Sequence, residues 1–325
     1  MKVVPVTDFL NVPVPPIDEV GVPITAPVPE GEADIIPGLL PRRGQLVIAG
    51  ETEVGKSLVA LEICSSLITK TPLWGELEPT HQARRILYIL GEHYNEVIQR
   101  LWQVTQLPMT DQVILVGPQQ LGLDKWLVAG GKANPLAVDK LSKWSEGCDL
   151  VVFDPFSAFI TGQDVENDNT QMRLLLDTMS LVAQNVGASC LVLAHQGKPQ
   201  MDKFGKENAR KSYAIRGASS AEDAATNIFY MGKTNTESGL IVTLTKRKYK
   251  GIAPDEYKLG RNPETLVHSL LGNRPAVEME KIVTQAKVAR VQAHFPTMTL
   301  TDIVKLVAGV EGKSERTIWR ALQGT

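Results

Sequence analysis

The segment Gly50-Glu51-Thr52-Glu53-Val54-Gly55-Lys56-Ser57 constrains this chain more than any other, because it has the spacing of a Walker A P-loop. The apolar run Gln45-Leu46-Val47-Ile48-Ala49 precedes it, and Leu58-Val59-Ala60-Leu61-Glu62-Ile63 follows. The run reads as a buried parallel strand, and the residues after the loop as a helix whose first turn begins at Gly55 or Lys56. A strand, a loop bounded by glycines and a helix, in that order, gather backbone N–H groups around an anion at the positive end of the helix. The stretch from Gly50 to Leu58 is therefore expected to bind ATP. Lys56 would reach the β and γ oxygens, and the Ser57 hydroxyl would ligate Mg²⁺. Two acids in the loop, Glu51 and Glu53, are unusual beside phosphates and are expected to point outward.

A chain of 325 residues, 43% of them hydrophobic, can build one large α/β domain with a full core plus a small appendage. No apolar run approaches the roughly 20 residues that cross a bilayer. The start, Met1-Lys2-Val3-Val4-Pro5, lacks the basic and apolar regions of a signal peptide. The expectation is a soluble cytoplasmic protein with no membrane partner. Cys64, Cys148 and Cys190 are widely spaced in apolar segments, which favours buried thiols over disulfides or metal ligands. A formal net charge of −2 exerts no global pull on nucleic acid, so any such binding must come from local basic patches.

Nine of the 20 prolines fall in the first 41 residues, which excludes helix and central strand over residues 1–34. This arm either runs extended over a surface, a neighbouring subunit's included, or is disordered. From residue 35 to 271, strands alternate with helices. Arg85–Leu90, Gln112–Val116, Asp149–Asp154 and Ala188–Ala194 read as strands, and Asn95–Gln106, Pro135–Glu146 and Asn169–Val186 as helices. That alternation predicts an α/β fold with a mostly parallel sheet flanked by helices. Beyond His195 it stops, and Thr226–Met231, Leu240–Thr245 and Glu256–Gly260 read as short antiparallel strands extending the sheet. After the linker Gly272-Asn273-Arg274-Pro275, residues 276–325 carry three short amphipathic patterns, the last beginning at Ser314. They fit a small helix-turn-helix or winged-helix-like domain that binds DNA or protein, with Arg316, Trp319 and Arg320 as candidate DNA contacts and Trp319 equally a candidate core residue.

Three acids and bases fall at strand ends. Asp154 closes an apolar strand, where a Walker B acid belongs and can hold Mg²⁺ beside Ser57. Glu92 follows the strand after the P-loop helix, placed to orient and deprotonate an attacking water. His195 closes a further buried strand at the same edge, placed to sense the γ-phosphate.

At these residues the chain resembles the RecA-type ATPases and, within them, the RepA-like plasmid replicative helicases. The resemblance runs from Ile35 to Gly260. It rests on the P-loop, on Leu87-Tyr88-Ile89-Leu90-Gly91-Glu92, and on Asp154-Pro155-Phe156-Ser157-Ala158-Phe159 with Glu166-Asn167-Asp168-Asn169 downstream. Ala194-His195-Gln196-Gly197-Lys198 and Arg216-Gly217-Ala218-Ser219-Ser220-Ala221 complete the order. It implies a RecA-like core in which Lys56 and Ser57 hold nucleotide and Mg²⁺, Glu92 is the catalytic base, Asp154 the Walker B acid and His195 the switch. It also implies a homo-oligomer, a hexameric ring or a filament, that translocates on single-stranded DNA beside other replication or DNA-processing proteins. Two positions depart from the pattern: Glu53 stands where relatives often have Gly, and Gln196 where a second His is common.

Two basic stretches complete the functional reading. Lys198, Lys203, Lys206, Arg210, Lys211 and Arg216 face only Asp202 and Glu207 in the segment after His195. In a RecA-type ring or filament that position faces the axis, where phosphate contacts would hold single-stranded DNA without regard to sequence. Further on, strict alternation puts Lys246, Lys248 and Lys250 on one side of a strand and Arg247 on the other. Like charges so aligned are tolerable opposite an anion, and the γ-phosphate of a neighbouring subunit would supply one. Three classes compete: a ring-forming DNA helicase or translocase, an ATP-switched DNA-binding or regulatory assembly protein without unwinding activity, and a small-molecule kinase. The motifs after Asp154 and His195 disfavour the kinase.

Overall fold

The computed structural model describes residues 34–92, 95–108, 110–122, 126–161, 169–195, 224–233, 241–248, 255–271, 284, 288, 291–292, 295–311 and 314–323. The arm at residues 1–33, the basic segment after His195 and most of the first of the three C-terminal amphipathic patterns lie outside them.

The first strand, β1 (Gln45–Gly50), is buried along its whole length, as its unbroken apolar run requires of a strand covered on both faces. It leads through the P-loop into helix α1 (Lys56–Thr69). Then come β2 (Ile86–Leu90), α2 (Asn95–Thr105), β3 (Val113–Val116) and the single turn α3 (Pro118–Leu121). Two short strands, β4 (Val128–Ala129) and β5 (Lys132–Ala133), precede α4 (Pro135–Trp144). Asn134 caps α4 by accepting the backbone N–H groups of Leu136 and Ala137, and Pro135 occupies the first turn, where a missing N–H costs nothing. The chain continues through β6 (Leu150–Asp154), a 3-10 turn over Phe156–Phe159, β7 (Ile160–Thr161), α5 (Asn169–Gln184) and β8 (Ser189–His195). The strands β9 (Asn227–Lys233), β10 (Ile241–Lys248), β11 (Glu256–Arg261) and β12 (His268–Leu270) follow, and then helices α6 (Leu300–Glu311) and α7 (Glu315–Gln323).

Nine strands form one sheet in the order β12-β11-β10-β9-β1-β8-β6-β2-β3, and β5-β4-β7 form a small second one. Period two divides the core. Leu46 and Ile48 of β1 join the α1 residues on one face, while Val47 and Ala49 join Leu175, Leu176 and Met179 of α5 on the other. This is the α/β, mostly parallel, helix-flanked sheet that the alternation predicts. One strand differs in direction from expectation: β9 runs parallel to β1, pairing Gly50 with Met231, and antiparallel pairing begins only at β10. Direction is set by the connection between strands, and side-chain periodicity does not encode it.

The P-loop helix is further fixed by a polar strut in its apolar body. The carboxylate of Glu62, almost fully buried, accepts hydrogen bonds from Trp74 Nε1 at 2.8 Å and from the His268 backbone at 2.6 Å, and lies 3.0 Å from His268 Nδ1. A buried carboxylate is tolerable only with such donors, and these tie the edge strand β12 to α1.

At the C-terminus, Ser314 accepts the Thr317 backbone N–H as the cap of α7, the start that the sequence predicts. Ile303, Val304, Val307 and Ala308 of α6 pack with Ile318 and Val288, and Trp319 lies against this small cluster while Arg316 and Arg320 are exposed.

Candidate nucleotide site

Parallel pairing brings the expected residues to one edge of the sheet. Gly50 lies opposite His195 across β1 and β8, and Leu90 opposite Asp154 across β2 and β6. The ends of four strands are thereby level, the crevice where open α/β sheets take ligands.

Within the loop, Val54 is buried and anchors it, while Glu51, Thr52 and Glu53 are exposed, so both acids point away as expected. Glu53 has φ 61°, in the left-handed region that favours glycine, and a glutamate there bears a cost of roughly 1–2 kcal/mol. This is the position at which the sequence departs from the pattern it resembles, and Glu53 adopts a backbone conformation that glycine would take without that cost. Gly55, at φ 108°, opens α1. The ammonium of Lys56 lies inside the curl of the loop, donating to the carbonyls of Gly50 at 3.0 Å and Glu51 at 2.7 Å. Burial pulls its pKa down to about 8, against the opposing pull of Asp154 and Glu51. Leu58, the last residue of the expected cradle, is buried under it.

Ser57 Oγ donates to Asp154 Oδ2 at 2.8 Å, across 97 residues of sequence. A second donor reaches the same oxygen: the Tyr88 hydroxyl, from the fully buried middle of β2, at 2.8 Å. Burial, then the Asp154 charge, push the Tyr88 phenol well above its usual range, so it keeps its proton and remains a donor. Sequence reasoning missed Tyr88. Its signal was the lone hydroxyl in an otherwise apolar strand beside the Asp154 strand. With its O–H directed at Asp154, the Ser57 oxygen retains lone pairs for a hard cation, and a hydroxyl beside a carboxylate is the all-oxygen donor set that suits Mg²⁺.

Glu92 is exposed, just past the corner at Gly91. The Gly91 N–H bonds the Asp154 carbonyl at 2.8 Å, and a Cβ at Gly91 would collide with that of Ala158, so only glycine turns the chain so closely there. His195 is half-buried at the end of β8. The structure thus bonds Ser57 to Asp154 beside Lys56, whose ammonium stays on the loop carbonyls, and places Glu92 just past, and His195 at, the strand ends of the same edge.

Lys246 and Lys248 are placed elsewhere. Because β10 is antiparallel, Lys246 lies opposite Phe229 and Lys248 opposite Ile228, at the amino end of β9, whereas Gly50 is level with Met231 at its other end. Two residues of strand for Lys246 and three for Lys248, about 7 and 10 Å, separate them from that level, so neither lysine sits at the P-loop edge of its own chain. Alternation holds: both are half-buried and Arg247 is exposed. A register shift falls between them, and Lys246 Nζ bonds Asp255 Oδ1 at 2.8 Å. Lys198, Lys203, Lys206, Arg210, Lys211, Arg216 and Lys250 lie outside the described residues. Among those described, no helix is long and apolar enough to cross a membrane.

Comparison with known proteins bears on the domain around these residues. A family model described as "AAA domain" matches residues 24–201, a span that includes the P-loop, Glu92, Asp154 and His195. No curated protein matches the chain. Among solved structures, one described as an ATPase domain superposes with a TM-score of 0.53 at 12% identity, covering 79% of this chain and 99% of that one, a likeness of fold. With more than half of its length inside the family match and a RecA-type sheet around a complete P-loop, this protein belongs to the AAA domain family of P-loop ATPases.

Proposed function

We propose that this ATPase hydrolyses Mg-ATP and couples the reaction to movement along single-stranded DNA, as a ring-forming helicase of the RepA-like kind. The observation that carries the catalytic part is the bond between Ser57 and Asp154, which unites the loop and strand acid that a metal-dependent phosphoryl-transfer site needs. Bound Mg²⁺ would neutralise charge on the β and γ phosphate oxygens. Lys56 binds the same oxygens, Asp154 and Ser57 hold the metal, Glu92 takes the proton of the attacking water, and His195 reads the state of the γ-phosphate. Tyr88 holds the Asp154 carboxylate in place. For Tyr88→Phe, the Mg²⁺ concentration at half-maximal turnover should rise by about 10-fold or more, with turnover largely restored at saturating Mg²⁺. A titration of ATPase activity against Mg²⁺ that superposes on the wild-type curve would contradict that role.

Coupling to DNA rests on the basic segment from Lys198 to Arg216 and on a ring or filament that would bring it to the axis. The RecA-type fold supports the oligomer, and the charge excess supports phosphate contact. Neutralising Lys203, Lys206, Arg210 and Lys211 should weaken single-stranded DNA binding and lower the log–log salt slope by about 0.7 for each phosphate no longer neutralised. An unchanged slope would move the DNA site to another surface.

A second reading, an ATP-switched assembly protein that does not unwind DNA, draws on α6, where Leu306 and Val310 are 44% and 78% exposed one turn apart. Such a stripe suits a protein partner better than a phosphate backbone. The same ATP site serves both readings, and strand displacement separates them.

A further inference from the structure

The nucleotide site has a second wall, on the side of β1 away from Asp154. On the β8 side stand all the groups suited to the γ-phosphate end: Ser57 bonded to Asp154, with Glu92 and His195 at the ends of β2 and β8. A triphosphate whose reacting end lies there runs back across the start of α1, so its nucleoside must leave on the β9 side. That side is built by β9 and β11, both of which bring their carboxyl ends to the P-loop edge, since β11 is antiparallel to β10. Two side chains from those ends converge on Gly55. A Cβ placed on Gly55 would lie 3.5 Å from Met231 Cε and 3.9 Å from Arg261 Nη1. Arg261 is half-buried at the last position of β11, far in sequence from every motif of the loop.

We infer that Arg261, with Met231 beside it, forms the subsite for the nucleoside of ATP, the guanidinium plane covering the face of the base. The inference rests on the nucleotide-site reading above and adds to it the residues that hold the non-reacting end of the substrate. A planar guanidinium stacks on aromatic rings and bases, and a thioether packs well against a ring edge. A lysine supplies the same charge without the plane. The contact serves recognition of an aromatic base and makes no demand on the phosphates, which the loop backbone and Lys56 already hold.

Binding measurements with two probes test this: ADP, which has both ends, and inorganic tripolyphosphate, which has only the anionic one. Arg261→Ala should weaken ADP by about 10-fold, the scale of one desolvated stacking contact to a cation. It should leave tripolyphosphate affinity unchanged, and that unchanged affinity also reports a folded loop. Arg261→Lys should lose most of the same ADP affinity. Parallel loss of both probes in Arg261→Ala, or full recovery of ADP binding by the lysine, would place Arg261 on the phosphates and overturn the nucleoside assignment. Unaltered ADP binding in both variants would also overturn it and leave the P-loop reading intact. Failure of the wild type to bind either probe would instead refute the nucleotide site itself, and this subsite with it.

Discussion

Replacing Glu92 with glutamine leaves ATP bound while turnover falls by about 10² to 10⁴, the usual worth of a positioned general base. The expectation follows from where Glu92 stands: exposed past a glycine corner whose backbone is bonded to Asp154, outside the cradle that binds phosphate. Gln keeps the size and polarity of the side chain and removes only its ability to take a proton. Lys56→Ala should do the opposite and lose nucleotide binding itself, because the Lys56 ammonium sits inside the curl of the loop. Equilibrium binding beside steady-state turnover separates the two. Near-normal hydrolysis by Glu92→Gln would show that another group is the base.

Lys248→Ala should reduce turnover on the order of 10³ with little change in nucleotide affinity, since a cation that meets charge developing in the transition state adds little to ground-state binding. The topology would make this an interaction between subunits. Lys248 is level with the start of β9, at the edge opposite the P-loop of its own chain, so the γ-phosphate it would meet is a neighbour's. Lys246 bonds Asp255 and would have to exchange that partner to serve the same role. Mixing Lys248→Ala with Glu92→Gln subunits, each inactive alone, should create interfaces with an intact Glu92 on one side and an intact Lys248 on the other, and so restore part of the activity. Normal hydrolysis by Lys248→Ala in the presence of DNA would refute the role. An inactive variant that no mixture rescues, in verified mixed oligomers, would refute the action between subunits.

The central parallel strands and the P-loop were legible because each is a run whose pattern has one physical solution. An apolar run ending in Gly50 or Asp154 makes a strand buried on both faces, and a loop bounded by glycines before a helix makes an anion cradle. What escaped the sequence has equally definite causes. The direction of β9 depends on the connection before it. The sheet β5-β4-β7 is made of strands of two residues, too short to show a period. Glu62 falls inside an apolar helix and finds its donors in Trp74 and in His268, more than 200 residues away. Tyr88 lies in the quoted strand motif without a role attached to it and Arg261 lies in none, and their relation to Asp154 and Gly55 exists only after the sheet has formed.

Displacement of a labelled strand from a forked duplex, measured with ATP hydrolysis in the same reaction, tests coupling to DNA most directly. The expected result is hydrolysis stimulated by single-stranded DNA together with a displaced strand, both lost in Glu92→Gln. Hydrolysis that responds to DNA while the duplex stays paired would contradict the helicase and leave the ATP-switched assembly protein.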